Sequence, residues 1–245
     1  MKRFSLFCMF FLLGAFQASA TEVRVAVANN FYGPLKELAR DYQQQSGDSV
    51  VISTGSTGQL YAQIINGAPF DIFLSADAAR PAKLVEAGLA SEPFTYALGR
   101  LVLWSSDSQL LKKGAASLTI NNFKHLALAN PKLAPYGYAS VQVMEKAGVY
   151  SELKSTLVEG KNLSVVYQFV VTGNAQAGFL AMSQIYKDSE FIDGSYWIIP
   201  EQMYDPIRQN AVLLKSAQNK NASNSFIEYL KSERARKIIV DFGYL

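Results

Sequence analysis

Short apolar runs alternate with amphipathic stretches along most of the chain. Val23-Arg24-Val25-Ala26-Val27-Ala28 is a strand pattern. Gly33-Pro34 then opens a helix, with Leu35, Leu38, Ala39 and Tyr42 on one face and Gly47 as its stop. Val50-Val51-Ile52 predicts a second strand. Thr54-Gly55-Ser56-Thr57-Gly58 reads as a small-residue loop, and Leu60, Ile64 and Ile65 share a face of the helix after it. A third strand is predicted over 70–74 and a helix over 80–87. This strand-loop-helix repetition predicts an α/β fold with a parallel sheet. Further strands are expected at 96–104 (one long strand), 125–129, 177–181, 197–199 and 211–214, and two closing helices at 223–230 and 232–242. No solenoid repeat and no low-complexity linker interrupts the series, so two lobes would be joined by structured strands.

The start of the chain departs from this pattern. Met1-Lys2-Arg3 is a basic start, 4–16 is an apolar run, and Ala18-Ser19-Ala20 matches a signal-peptidase site. The run is too short for a permanent membrane span of about 20 residues, and no later stretch is long and apolar enough for one. Cleavage after Ala20 would remove Cys8, Lys2 and Arg3, leaving a cysteine-free exported chain of net charge +1 in place of +3. Cys8 lies inside the apolar run rather than at its end, which argues against a lipoprotein.

Composition narrows the chemistry further. With 49% hydrophobic and 18% charged residues among 245, the chain is globular rather than disordered. Its small net charge and lack of charge runs argue against a nucleic-acid partner. One cysteine and one histidine, Cys8 and His125, exclude a disulfide framework, a zinc cluster and a Cys-His dyad. None of the 13 tyrosines is adjacent to another, which counts against a paired-tyrosine iron site. His125 heads an apolar strand and reads as structural. Asp71 and Asp77 flank the third strand and could form an acid-base pair, or act as a strand-edge residue and a helix cap.

Four segments place small or polar residues after a strand or ahead of a helix: Asn29-Asn30, Ser56-Thr57, Pro135-Tyr136-Gly137 and 159–164. Helix N-termini present free N–H groups and the positive end of the dipole, a setting that holds anions without a cationic side chain. Ordinary capping and turn-making would explain each segment alone. Gly55-Ser56-Thr57-Gly58-Gln59 lacks the lysine of a nucleotide phosphate loop.

Together these residues resemble the periplasmic molybdate-binding proteins of ABC transporters. The matching stretches are Val25-Ala26-Val27-Ala28-Asn29-Asn30-Phe31, the run 51–64, and Asn66-Gly67-Ala68-Pro69-Phe70-Asp71-Ile72-Phe73-Leu74-Ser75-Ala76-Asp77. Asn130-Pro131, Ala134-Pro135-Tyr136-Gly137 and the closing Phe242-Gly243-Tyr244 extend the match to the end of the chain. The resemblance implies a type II periplasmic-binding-protein fold, α/β, with two lobes of mostly parallel sheet and a ligand cleft between them. The lobes would comprise 21–101 with 206–245, and 102–205. It implies capture of molybdate or tungstate, without catalysis or a cofactor, and delivery to a permease with its ATPase. The mature chain would be a periplasmic monomer that does not insert into the membrane.

The ligand positions of the family fall on Asn29 and Asn30, on Ser56 and Thr57, and on the backbone N–H groups of Tyr136 and Leu163. Asn30 would also offer a side-chain amide donor. A tyrosine that some members use falls on Ala181 here, so Asn29 or Asn30 would supply the missing bond. The rival readings are another ligand of the same fold, such as sulfate, phosphate or ferric ion, and an exported hydrolase using Asp71 or Asp77.

Overall fold

The computed structural model describes residues 21–119 and 122–245, so the leader expected at 1–20 lies outside the described residues. The first part of the chain runs β1 (Glu22–Ala28), α1 (Tyr32–Ser46), β2 (Ser49–Gly55), α2 (Thr57–Ile65), β3 (Ile72–Leu74), α3 (Ala79–Glu86) and β4 (Phe94–Gly99). The middle begins β5 (Leu101–Ser105), β6 (Leu126–Ala129), α4 (Pro135–Lys146), α5 (Tyr150–Leu153) and β7 (Leu157–Gly160). It continues α6 (Leu163–Val171), β8 (Ala177–Ala181), β9 (Tyr186–Lys187), β10 (Glu190–Phe191) and β11 (Ser195–Ile198). The chain closes with β12 (Ile207–Leu213), α7 (Asn221–Leu230) and α8 (Glu233–Asp241).

These elements build two five-stranded sheets, ordered β2-β1-β3-β12-β4 and β11-β5-β8-β6-β7, and a small antiparallel pair, β9 with β10. Each has the expected parallel part, where β1 pairs with β2 and β3, and β6 with β7 and β8. Each is extended by antiparallel pairs, β12 with β3 and β4, and β5 with β8 and β11. The molecule is therefore a two-lobed α/β protein with a mixed sheet in each lobe.

Strand periodicity explains the packing of the first sheet. Val23, Val25 and Val27 are fully buried in one apolar cluster with Leu35 and Leu38 of α1 and Phe226 of α7. Ala26, on the opposite face, packs in a second cluster with Leu60 of α2 and Leu84 of α3. The sheet is covered on both sides, which is why its strands read as continuous apolar runs. The second sheet has its own core, where Leu126, Leu128 and Phe179 meet Val143 and Val166.

Two expectations change. The long strand at 96–104 is two strands in different sheets: β4 pairs with β12, whereas β5 pairs with β8 and β11. The chain leaves the first sheet after Gly99 and enters the second at Leu101. An unbroken apolar run shows extended, buried backbone but not which neighbour each residue pairs with. The loop expected at Thr54-Gly55-Ser56-Thr57-Gly58 shrinks to one residue. Thr54 and Gly55 finish β2, Ser56 caps, and Thr57 already belongs to α2. Gln59 explains the sharp start. Its backbone N–H donates to Ser56 Oγ at 3.3 Å, while its side chain accepts from the Ser56 N–H at 3.2 Å.

Candidate functional site

All six residues singled out from the sequence, Asn29, Asn30, Ser56, Thr57, Tyr136 and Leu163, line one small cavity of about 10 Å³ between the lobes. Four chain segments bring them there. A 3-10 turn over Asn29–Phe31 leads from β1 into α1, and Ser56 and Thr57 open α2. Pro135 and Tyr136 are the first two residues of α4, and Leu163 is the first of α6. Residues in a first turn have no carbonyl one turn back to receive their N–H. Each mouth therefore offers unpaired backbone donors and a positive dipole end. Among the described residues that line the cavity, none is Lys, Arg, Asp, Glu or His.

The local sequence sets these mouths in place. Pro135, at the first position of α4, has no N–H to leave unpaired and a φ already suited to a helix. Gly137 lets that helix start against the end of β6, since a Cβ there would lie 1.9 Å from the Ala129 carbonyl oxygen. Asn162 caps α6 by accepting from Val165 N at 3.1 Å. Thr57, 1% exposed, accepts from Ala76 N at 3.2 Å, so its hydroxyl hydrogen is still free to donate. The Ser56 hydroxyl, which caps α2, likewise keeps its own hydrogen.

The two asparagines have different surroundings. Asn30 is buried, and its Nδ2 donates to Gln209 Oε1 at 2.7 Å and to Tyr244 OH at 3.0 Å. Both amide hydrogens are thus engaged within the protein. The expectation that the Asn30 side chain supplies a ligand donor is therefore corrected. Asn29 Nδ2 donates across the lobes to Ser164 Oγ at 3.0 Å, while Asn29 Oδ1 is buried without a partner among the described residues. Rotation of this amide by half a turn would let its oxygen accept from Ser164 and leave an NH₂ group in the orphan position.

Ala181 ends β8, fully buried, and is not among the residues lining the cavity. Asp71 and Asp77 are both engaged elsewhere. Asp71 is 1% exposed and accepts from Arg24 N at 2.9 Å and Lys220 Nζ at 2.6 Å. Asp77 accepts from Arg80 N at 2.9 Å at the start of α3 and pairs with the Arg80 guanidinium. The capping alternative for Asp77 thus holds. His125 touches the Asn174 carbonyl through Nδ1 at 3.1 Å, away from the cavity.

Further bonds close over the site. Gly58 N donates to Leu133 O at 2.9 Å, and Arg80 Nη2 to Lys132 O at 3.1 Å. Ser183 Oγ donates to Asn30 O at 2.7 Å. Nothing in the sequence pointed to Ser183 or Gln209, and Ser164 entered only as the end of the segment 159–164. Gln209 lies between Arg208 and Asn210 in β12, and nothing local marks it as the one of the three that is fully buried. Burial pushes the Tyr96 and Tyr136 hydroxyls well above the ordinary phenol range and raises Tyr244 as well, so the hydroxyls behind the cage stay neutral.

Two α/β lobes with a small buried cavity at their junction define the class of two-lobed solute-binding proteins. The chain belongs to the bacterial extracellular solute-binding protein family, whose model matches residues 23–245. It is 47% identical over 229 residues to the molybdate-binding protein ModA of Azotobacter vinelandii, covering 93% of this chain and 91% of that protein. It is 46% identical over 234 residues to ModA of Rhodobacter capsulatus, covering 94% and 91%. The solved periplasmic molybdate-binding protein of Azotobacter vinelandii superposes with a TM-score of 0.87 at 38% identity, over 91% of this chain and 98% of that one.

Proposed function

We propose that the chain captures molybdate or tungstate outside the cytoplasm and presents it to an ABC permease and its ATPase. The observation that carries this reading is the convergence of four uncharged helix mouths on one small cavity. The names of the relatives at 46–47% identity support the particular ligand. In this reading the ligand is held, not transformed, and the protein works as a periplasmic monomer.

The donors would be the backbone N–H groups of Asn30, Thr57, Tyr136 and Leu163, the hydroxyls of Ser56 and Thr57, and the rotated Asn29 amide. A tetrahedral dianion would leave water for a shell of fixed, neutral donors, whose hydrogen bonds to a charged acceptor are stronger than neutral ones. Such a cage disfavours a protonated oxyanion, whose O–H finds few acceptors. A bare ferric ion would find no carboxylate there. The lobes in this account are 21–101 with 206–245, and 102–205. Asn29, Asn30, Ser56 and Thr57 come from the first, and Tyr136 and Leu163 from the second. The ligand therefore contacts both lobes and favours the closed arrangement by its differential affinity.

Isothermal titration with molybdate, tungstate, sulfate and phosphate tests the reading. Molybdate and tungstate should bind at least about 100-fold more tightly than sulfate or phosphate, a difference of about 2.7 kcal/mol. No heat with either heavy oxyanion, or tighter binding of sulfate, would contradict it.

A further inference from the structure

Behind the cage lies a second polar cluster, centred on a residue that does not line the cavity. At its centre is Gln209 of β12, 0% exposed. Its Oε1 accepts from Asn30 Nδ2 at 2.7 Å and from Tyr96 OH at 3.0 Å. Its Nε2 donates to Tyr136 OH at 3.1 Å. One side chain thus holds two cavity-lining residues, one on the Asn29–Phe31 turn and one on the first turn of α4. Tyr244 completes the cluster, since its hydroxyl receives the other Asn30 amide hydrogen at 3.0 Å and lies 2.9 Å from Ser183 Oγ.

The backbone is shaped to allow this bridge. A Cβ on Gly99 would lie 2.1 Å from Tyr136 OH and 2.6 Å from Gln209 Nε2, so a side chain at that position would occupy the place of the bond. Gly243, with φ +80°, turns the chain so that the Tyr244 hydroxyl enters the cluster.

We propose that Gln209 is a positioning residue of the oxyanion cage. Its amide fixes the spacing between the backbone donors of Asn30 and Tyr136 by tying their side chains together. The inference rests on the oxyanion reading above. The tie crosses between the proposed lobes, so it forms on closure and breaks on opening. Its loss would shorten the life of the closed complex more than it slows encounter, because encounter precedes closure.

The test compares the natural protein with Gln209→Glu and Tyr136→Phe. Molybdate association and dissociation rates are followed by stopped-flow between about pH 6 and about pH 9. A protonated carboxyl at position 209 keeps one acceptor and one O–H donor. An ionised one only accepts, and it sits behind a dianion. The groups facing it are the Asn30 amide and the Tyr96 and Tyr136 hydroxyls, with Tyr244 and Ser183 beyond and Asp77 the acid that acts on Tyr96. Binding then favours the protonated form, so affinity in Gln209→Glu falls as pH rises.

We expect its dissociation rate to climb at least about tenfold across that range while the natural protein changes little. Tyr136→Phe keeps the backbone N–H and removes only the far end of the tie. It should dissociate about tenfold faster, with association within about twofold, and it carries the test if Gln209→Glu fails to fold. Unchanged dissociation in both variants, with the natural protein still binding molybdate, would overturn the role of Gln209 alone. A natural protein that binds no oxyanion would overturn this inference together with the reading it rests on.

Discussion

Thr57 concentrates several tasks in one buried residue. It opens α2, its hydroxyl oxygen receives Ala76 N at 3.2 Å, and its N–H and O–H are the proposed donors to the ligand. Thr57→Val preserves shape but removes the hydroxyl. It should weaken molybdate binding by about 1–3 kcal/mol, a loss of about 5- to 150-fold read by titration. Unchanged affinity would remove the Thr57 hydroxyl from the site. Asn29→Asp tests the neutrality of the cage. A carboxylate beside a dianion costs several kcal/mol even at an effective dielectric near 20, so affinity should drop by at least about 100-fold, and by more at low salt. The four segments were legible because small or polar residues at a helix start are local signals, and the family resemblance singled out six residues within them, all of which line the cavity. The groups that fix them were not. Ser164, Ser183 and Gln209 meet their asparagine partners across 135, 153 and 179 residues, and no local pattern encodes those pairings.

At the scale of elements, the start of α4 is the most sensitive joint. A methyl group on Gly137 would collide with backbone, the Ala129 carbonyl oxygen, rather than with a side chain that could rotate away. Gly137→Ala should cost about 1–3 kcal/mol in denaturant unfolding and also weaken molybdate binding, because the helix must move with its Tyr136 N–H. Retention of both stability and affinity would contradict this account of the joint. On the far face of the first lobe, α1 and α8 are tied by Asp41. It accepts from Arg234 Nε at 2.7 Å and from Tyr229 OH at 2.8 Å. The Arg234 guanidinium holds the Asp41 carboxyl below the usual carboxylate range, against an opposing effect of burial. A depressed folded-state pKa stabilises above the unfolded value, near 3.9, and that contribution disappears as pH falls through the folded value. Asp41→Asn should therefore be less stable than the natural protein near neutral pH, and the gap should close in acid. A gap that widens in acid would contradict the assignment. Most elements were legible from periodicity and from stop signals such as Gly47, whose φ of +80° ends α1. The split of 96–104 into β4 and β5 was not, because both halves are extended and apolar and only their partners differ.

At the scale of the whole molecule, the lobes meet through hydrogen bonds around the cavity, including Asn29 to Ser164 and Gly58 to Leu133. A ligand seated among them adds its binding free energy to the folded state. Molybdate at about 100 times its dissociation constant should stabilise the protein by about 2.7 kcal/mol and raise Tm with concentration, whereas equal sulfate should leave Tm nearly unchanged. Identical shifts with both anions would point to a general salt effect. The near absence of reactive side chains, evident from one cysteine and one histidine, fits a molecule that holds its ligand through neutral donors. The central claim is that this cavity holds the oxyanion by such donors alone. Molybdenum anomalous scattering from crystals grown with molybdate tests it most directly. One peak is expected inside the cavity bounded by Asn29, Thr57, Tyr136 and Leu163, with N–H and O–H groups at about 2.7–3.1 Å from the oxyanion's oxygens. A peak elsewhere, or a Lys or Arg side chain bonded to the oxyanion, would contradict it.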